Sequence, residues 1–265
     1  MMENLQQVTD MMGREISLVQ RPLRIVSLVP SQTELLYDLG LNNEIVGITK
    51  FCVHPESWFR TKTRVGGTKQ VHYDKIAALQ PDLILANKEE NTQEIVDTLA
   101  ADYPVWVSDI HNLQDALEMI RQVGSLTGKT AAAEAIAHNI GTGFQQLAAK
   151  LHDDEQPVPV AYFIWRNPWM TAGSDTFISN MLSLLNWKNV FDDKRRYPEI
   201  APEELAARKP RKILLSSEPY PFKEKHVEEI KAVLPDAEVL LVDGEMFSWY
   251  GSRLLKAPDY FASLL

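Results

Sequence analysis

The 265-residue chain has a single cysteine, Cys52, which excludes an internal disulfide and any metal site built from several thiolates. No run of 18 apolar residues occurs, so no membrane-spanning helix is expected and no membrane insertion. The first 18 residues, MMENLQQVTDMMGREISL, lack an apolar core of signal-peptide length and a cleavage-like site. As written, the chain is expected in the cytoplasm; if a leader was removed, the periplasm takes its place. Basic residues are outnumbered, 27 Lys and Arg against 36 Asp and Glu, for a net charge of -9. A phosphate backbone calls for a basic face, so nucleic acid is set aside as a partner. Enzyme signatures are missing too: there is no GxSxG, GxGxxG, P-loop or HExxH. The stretch GSLTGKT at 124–130 has the wrong spacing for a Walker loop, and no strand precedes it. Nothing calls for an intrinsic cofactor, and no catalytic residue is nominated.

What is present is a long amphipathic stretch near the middle, Lys129 to His152. Its apolar residues Ala133, Ile136, Ile140, Phe144, Leu147 and Leu151 recur at helical spacing and form one stripe. Gly128 and Thr130 serve as start signals, and Asp153, Asp154, Pro157 and Pro159 as a stop. Some 24 residues at 1.5 Å each reach roughly 36 Å, more than one domain usually needs. Gly141 and Gly143 argue mildly against such a helix, at about 1 kcal/mol each relative to Ala. The preferred reading is a spine joining two lobes.

On both sides of the spine, strands and helices alternate. Strands are expected at Arg24 to Val29, Glu44 to Thr49, Leu83 to Ala86 and Val105 to Val107, with a weak hairpin around Met12-Gly13. Ser31 and Glu34 have capping-box spacing for the first helix. The second half repeats this grammar with strands at Val158 to Trp165, Lys212 to Ser216 and Val239 to Val242, and a last helix interrupted near Pro258. IAALQPDLILANKEEN, from Ile76, can be laid on LAARKPRKILLSSEPY, from Leu205; both run helix, Pro, strand, polar loop. The fold class is therefore α/β: two Rossmann-like lobes with mostly parallel sheets, joined by a single long interdomain helix. The expected boundaries are an N-terminal lobe at 1–124, a backbone helix at 125–156 and a C-terminal lobe at 157–265.

Ligands of such sheets bind beyond the carboxyl ends of the strands, so two loop sets should face each other across a cleft. These loops hold Phe51, Trp58, Trp165, Trp169, Tyr220, Phe222, Phe247, Trp249 and Tyr250. Flat aromatic walls with a few charged groups suit a bulky, partly apolar ligand. His54 and His72, with Glu89, Glu218 or Glu245, contain metal-ligand chemistry, but two histidines without tight spacing read better as solvated loop residues. No metal site is expected. Glu89, Glu218 and His54 also lack a nucleophile–base pairing, which argues against a cleft enzyme.

RIVSLVPSQTELLYDLG, IVGIT and DKIAALQPDLILANKE resemble the first lobe of class III substrate-binding proteins of ABC importers, the helical-backbone metal receptors. AGSDTFISNMLSLLNWKNVF, YPEIAPEELAARKPRKILL and MFSWYGSRLL resemble their second lobe. The resemblance covers nearly the whole chain and is nearest to the cobalamin-binding and ferric-siderophore-binding branch. It implies a small-molecule chelate as ligand, cobalamin or a ferric siderophore, and an ABC permease as partner. It places ligand contacts at Pro30, Ser31, Phe51, Asn87, Trp165, Tyr197, Glu245 and Trp249. The loop reading adds His54, Trp169, Glu218, Phe247, Tyr250 and Arg253. Asp74 and Glu203, at matching points of the internal repeat, correspond to acids that dock on the permease. Thr68 and Asn87 stand where that branch has tryptophans, which leaves another corrinoid or ferric chelate open.

Three functions follow for comparison: an importer's substrate-binding protein, a leaderless cytoplasmic carrier of corrinoid or iron-siderophore with the same fold, and a cleft enzyme. The first is preferred. A monomer is expected, since nothing in the sequence marks a dimer stripe.

Overall fold

The computed structural model describes residues 6–151 and 156–265. The chain forms two compact units. One holds the residues up to Ile110, then Gln114–Ile140 and Tyr250–Arg253; the other holds His111–Leu113, Gly141–Trp249 and Leu254–Leu265.

The first unit opens with a hairpin, β1 (Gln6–Thr9) and β2 (Glu15–Leu18), paired antiparallel. Asp10 builds its turn: Oδ1 accepts from the Met12 and Arg14 amides, and Oδ2 from the Val107 amide. Then come β3 (Ile25–Ser27), α1 (Pro30–Asp38), β4 (Ile45–Ile48), α2 (Glu56–Thr61), β5 (Thr63–Arg64), α3 (Tyr73–Leu79), β6 (Leu83–Asn87), α4 (Gln93–Ala100) and β7 (Val105–Ser108). The strands lie in the order β5-β4-β3-β6-β7, all parallel. Val26, Ile84, Ala86, Val105 and Val107 feed one core, while Ile25, Leu83 and Leu85 are equally buried. Alternation is lost because helices cover both faces, as parallel sheets require.

Two local expectations need correction. Ser31 does not cap α1: Val29 is the N-cap, Pro30 takes the first turn, and no side-chain cap forms. Pro fits there because that position needs no N–H, and Glu34 is thereby released to bond Arg253 instead. The polar stretch after β4 is not all loop but contains α2, anchored by Trp58 at 2% exposure. The last helix is broken near Pro258 as expected: a 3-10 turn, Ser252–Leu255, ends first, and Pro258 lies in the opening turn of the helix that follows.

α5 (Leu113–Leu126) is followed by α6 (Thr130–Ala148). α6 buries Ala133, Ala137, Ile140, Phe144 and Leu147, the stripe expected from the spacing. Its 19 residues span about 28 Å, fewer than the sequence suggested, and His152 lies outside the described residues. Gly143 has its reason in the second unit: a Cβ there would sit 3.0 Å from the Pro258 ring.

The second unit contains β8 (Val158–Trp165), β9 (Met170–Thr171), α7 (Phe177–Ser183), β10 (Trp187–Asn189), α8 (Pro202–Arg208), β11 (Lys212–Ser216), α9 (Glu224–Val233), β12 (Glu238–Val242), α10 (Gly244–Ser248) and α11 (Ala257–Ala262). Its order is β10-β8-β11-β12, parallel, with β9 folded back antiparallel on β8. β9 and β10 were not expected; at two and three residues they are too short to show a period. The internal repeat is physical. α3 and α8 both end on a left-handed residue, Gln80 (φ 46°) and Lys209 (φ 49°), and Pro81 and Pro210 lead each chain into a central strand. Asp74 and Glu203 both lie exposed in the first turn of their helices.

Candidate functional site

At the carboxyl ends of the first unit's strands, polar side chains build the loops. Asn87 ends β6: its Oδ1 accepts from the Glu89 and Glu90 amides at 2.8 and 3.0 Å, and its Nδ2 donates to Ser108 Oγ at 3.0 Å. Asn91 secures the same turn, accepting from the Asn87 amide and donating to the Thr68 carbonyl, both at 2.9 Å. Asn87 is 1% exposed, so the structure corrects its reading as a wall residue: it shapes the loop. The Asn-Lys-Glu-Glu-Asn run carried that signal, because asparagine side chains bond nearby backbone amides in turns. Ser31 is likewise buried, and Pro30 and His54 are half-buried. Phe51, by contrast, is presented: its ring is 50% exposed, with Lys50 Nζ 5.0 Å from its centroid.

Cys52 is held behind Phe51 by Thr33 and Thr49, Sγ lying 3.1 and 3.2 Å from their hydroxyls. Burial pushes its thiol up. Burial also pushes the Glu90 carboxyl above the usual carboxylate range; Lys69 pulls it down, Glu89 raises it and a Thr68 hydrogen bond lowers it. A folded-state acid raised in this way stabilises the fold below its unfolded pKa of about 4.3. That contribution is lost as pH rises through the folded value. Glu90→Gln is therefore expected to raise the melting temperature relative to wild type more at pH 8 than at pH 4; equal differences at both pH values in thermal unfolding would refute it.

Tyr250–Arg253 belong to this same unit although they come late in the chain. Tyr250 is 5% exposed. Arg253 forms a two-bond fork with Glu34 of α1 at 2.8 and 2.9 Å. Its guanidinium is thereby held in place by that carboxylate.

In the second unit, Glu218 organises the loop after β11. Its Oε1 accepts from Ser248 Oγ at 2.7 Å and from Trp249 Nε1 at 2.8 Å, which fixes the indole. α10 approaches so closely that a side chain on Gly244 would meet Ser216 Oγ and Glu218 Cγ; only glycine fits. Ser248 was not foreseen, and no spacing rule marks it. Glu245 is half-buried in the first turn of α10. Tyr197 is half-buried on the loop before α8, with the Arg196 guanidinium 5.6 Å from its ring centroid. Trp165, 38% exposed, meets Tyr220 edge-on at 5.6 Å.

Two aromatics are reassigned. Phe247 is 0% exposed and packs on Tyr162 and Phe261, with centroids 5.1 and 4.6 Å away; it is core, since a helical turn inside the supposed loop rotates it inward. Trp169 stacks on Phe222 at 5.8 Å within the cluster formed by Ile200, Leu205 and Ile230, so it belongs to the helix-covered face of the sheet. Among the described residues, no three His, Cys, Asp or Glu side chains gather as a metal site, and no helix is long and apolar enough to cross a membrane.

A family model described as periplasmic binding protein matches residues 25–236. An ABC transporter substrate-binding lipoprotein of Bacillus subtilis is 26% identical over 269 residues, covering 96% of this chain and 83% of its own. The vitamin B12-binding protein of Pectobacterium carotovorum is 28% identical over 251 residues, covering 92% and 88%. Among solved structures, the periplasmic vitamin B12 binding protein of Vibrio cholerae superposes with a TM-score of 0.78 at 21% identity, covering 92% of this chain and 96% of that one. A periplasmic heme binding protein of Pseudomonas aeruginosa gives 0.80 at 20%, covering 92% of each.

Proposed function

Because the chain belongs to the periplasmic binding protein family, we propose that it is the substrate-binding component of an ABC-type importer, with cobalamin or a related corrinoid as its ligand. The B12-binding relatives and the substrate-binding lipoprotein support this reading over a leaderless carrier. They also favour work outside the cytoplasm, which fractionation of the native gene product would check. The observation that carries the ligand class is the presence on each unit of a presented aromatic at a strand end, Phe51 on the first and Trp165 on the second, each at least 38% exposed; the second unit adds an indole, that of Trp249, fixed by Glu218. Exposed flat rings held by a rigid scaffold suit a broad, partly apolar chelate. Pro30, His54, Tyr197 and Glu245 complete the proposed contacts. Haem is the second reading, favoured by the heme-binding neighbours in fold and by Lys50 beside Phe51, a cation suited to a propionate.

Titration of intrinsic tryptophan fluorescence with cyanocobalamin, haemin and a ferric siderophore tests this. Quenching by cyanocobalamin is expected, with affinity reduced about tenfold in Trp165→Ala; no response to any of the three would refute a chelate ligand. Asp74 and Glu203, exposed on matching helices, are the proposed permease contacts. In the same titration Asp74→Lys and Glu203→Lys should bind as wild type does, while ligand uptake by cells carrying the importer falls. Unchanged uptake would remove them from that role.

A further inference from the structure

Both indoles assigned to the ligand on the second unit depend on one loop. Residues 217–222 follow β11; within them Glu218 fixes Trp249, and Tyr220 meets Trp165 edge-on at 5.6 Å. The loop is secured at each end. At its start, Ser216 Oγ accepts from the Glu218 amide at 3.3 Å and from the Tyr162 hydroxyl at 3.1 Å. At its end stands His226, 2% exposed in the first turn of α9.

The imidazole makes two different bonds. Nδ1 accepts from the Lys223 amide at 2.9 Å, so the ring hydrogen resides on Nε2, which donates to the Tyr220 hydroxyl oxygen at 3.2 Å. The bond at one nitrogen sets the tautomer at the other. A Glu or Gln in this place serves the helix start equally well. None of the usual capping side chains, however, also carries a donor on the far side of a rigid ring. His226 meets Tyr220 and Phe222 edge-on, at 5.4 and 5.3 Å, and Phe222 stacks on Trp169 inside the buried cluster. Exposure therefore rises outward along one line of contacts, from His226 through half-buried Tyr220 to Trp165. A presented side chain loses rotamer freedom when a ligand seats on it, and one already held loses less.

We propose that His226 is a positioning residue of the ligand site, acting through the Tyr220 hydroxyl to hold the Trp165 indole ready for the ligand. The role rests on the reading of Trp165 as a ligand contact, so one arm of its test uses no ligand. Acrylamide quenching of tryptophan fluorescence in the full chain measures how freely solvent reaches the indole. His226→Asn keeps an acceptor for the Lys223 amide and lacks the Nε2 donor; Tyr220→Phe keeps the ring and lacks the hydroxyl. Each is expected to raise the quenching constant, and neither should raise it in a Trp165→Ala background, where the affected indole is gone. In the second arm, titration with cyanocobalamin, haemin and a ferric siderophore, each single variant should bind about fivefold more weakly than wild type, the worth of one hydrogen bond. The two changes together should cost no more than either alone, because both break the same link. In Trp165→Ala, adding His226→Asn should leave affinity as it is. A loss that persists there would show a general structural effect and overturn the proposal. So would an unchanged quenching constant in Tyr220→Phe, or wild-type affinity in both single variants. Wild type that binds none of the three chelates would overturn the chelate reading alone, while a raised quenching constant still upholds the hold on Trp165.

Discussion

Replacing Arg253 by Met is expected to destabilise the protein by about 3–5 kcal/mol, the loss found when one partner of a buried ion pair is removed. The two side chains are only 8% and 11% exposed, and both hydrogen bonds of the fork are short. Without Arg253, the Glu34 carboxylate remains in a place that water reaches poorly, with its charge uncompensated. The magnitude therefore reflects the cost of a stranded charge more than the worth of the intact pair. Equilibrium urea unfolding measures it. The double variant Glu34→Leu/Arg253→Met should recover most of the loss, because both charges leave together. A single variant within about 1 kcal/mol of wild type, the range of an exposed pair, would show that water already screens the fork.

Phe247→Ala is expected to lose about 3–5 kcal/mol, the usual range for emptying a buried aromatic position. The ring is wholly enclosed and packs between Tyr162 and Phe261, so truncation leaves a cavity that two large neighbours close poorly. Trp165→Ala makes the informative comparison. Its indole is 38% exposed and meets Tyr220 in an edge-on contact worth about 0.5–1.5 kcal/mol. Urea unfolding should rank Phe247→Ala far below Trp165→Ala in stability, and chelate titration should rank them the other way. The opposite order in both measurements would return Phe247 to the ligand list and make Trp165 structural.

That contrast locates the limit of the sequence. Phe247 and Trp165 look alike as residues: each is an aromatic at or beyond the carboxyl end of a strand, beside a loop without visible periodicity. Five residues of helix, Gly244–Ser248, decide that one turns inward, and five residues are too few to show a helical period. Trp169 fails for a related reason. Two-residue strand β9 folds it back onto the α8–α9 face, and no local rule announces so short a pairing. Asn87 was legible in principle, since an Asn-flanked acidic run is turn chemistry, yet its burial could be known only once Ser108 and Asn91 were brought beside it.

The amino-acid sequence by itself determined the alternating α/β grammar, the parallel sheets, the stripe of α6 and the repeat that pairs Asp74 with Glu203. Each of these is written in residues that are near neighbours along the chain, where period, proline and glycine act directly on the backbone. Only the tertiary structure decided that Glu34 forgoes a helix cap to meet Arg253, 219 positions away, and that Glu218 fixes the indole of Trp249. These are contacts between distant segments. Their partners are chosen by how whole elements pack, and the spacing of neighbouring residues carries no information about that choice.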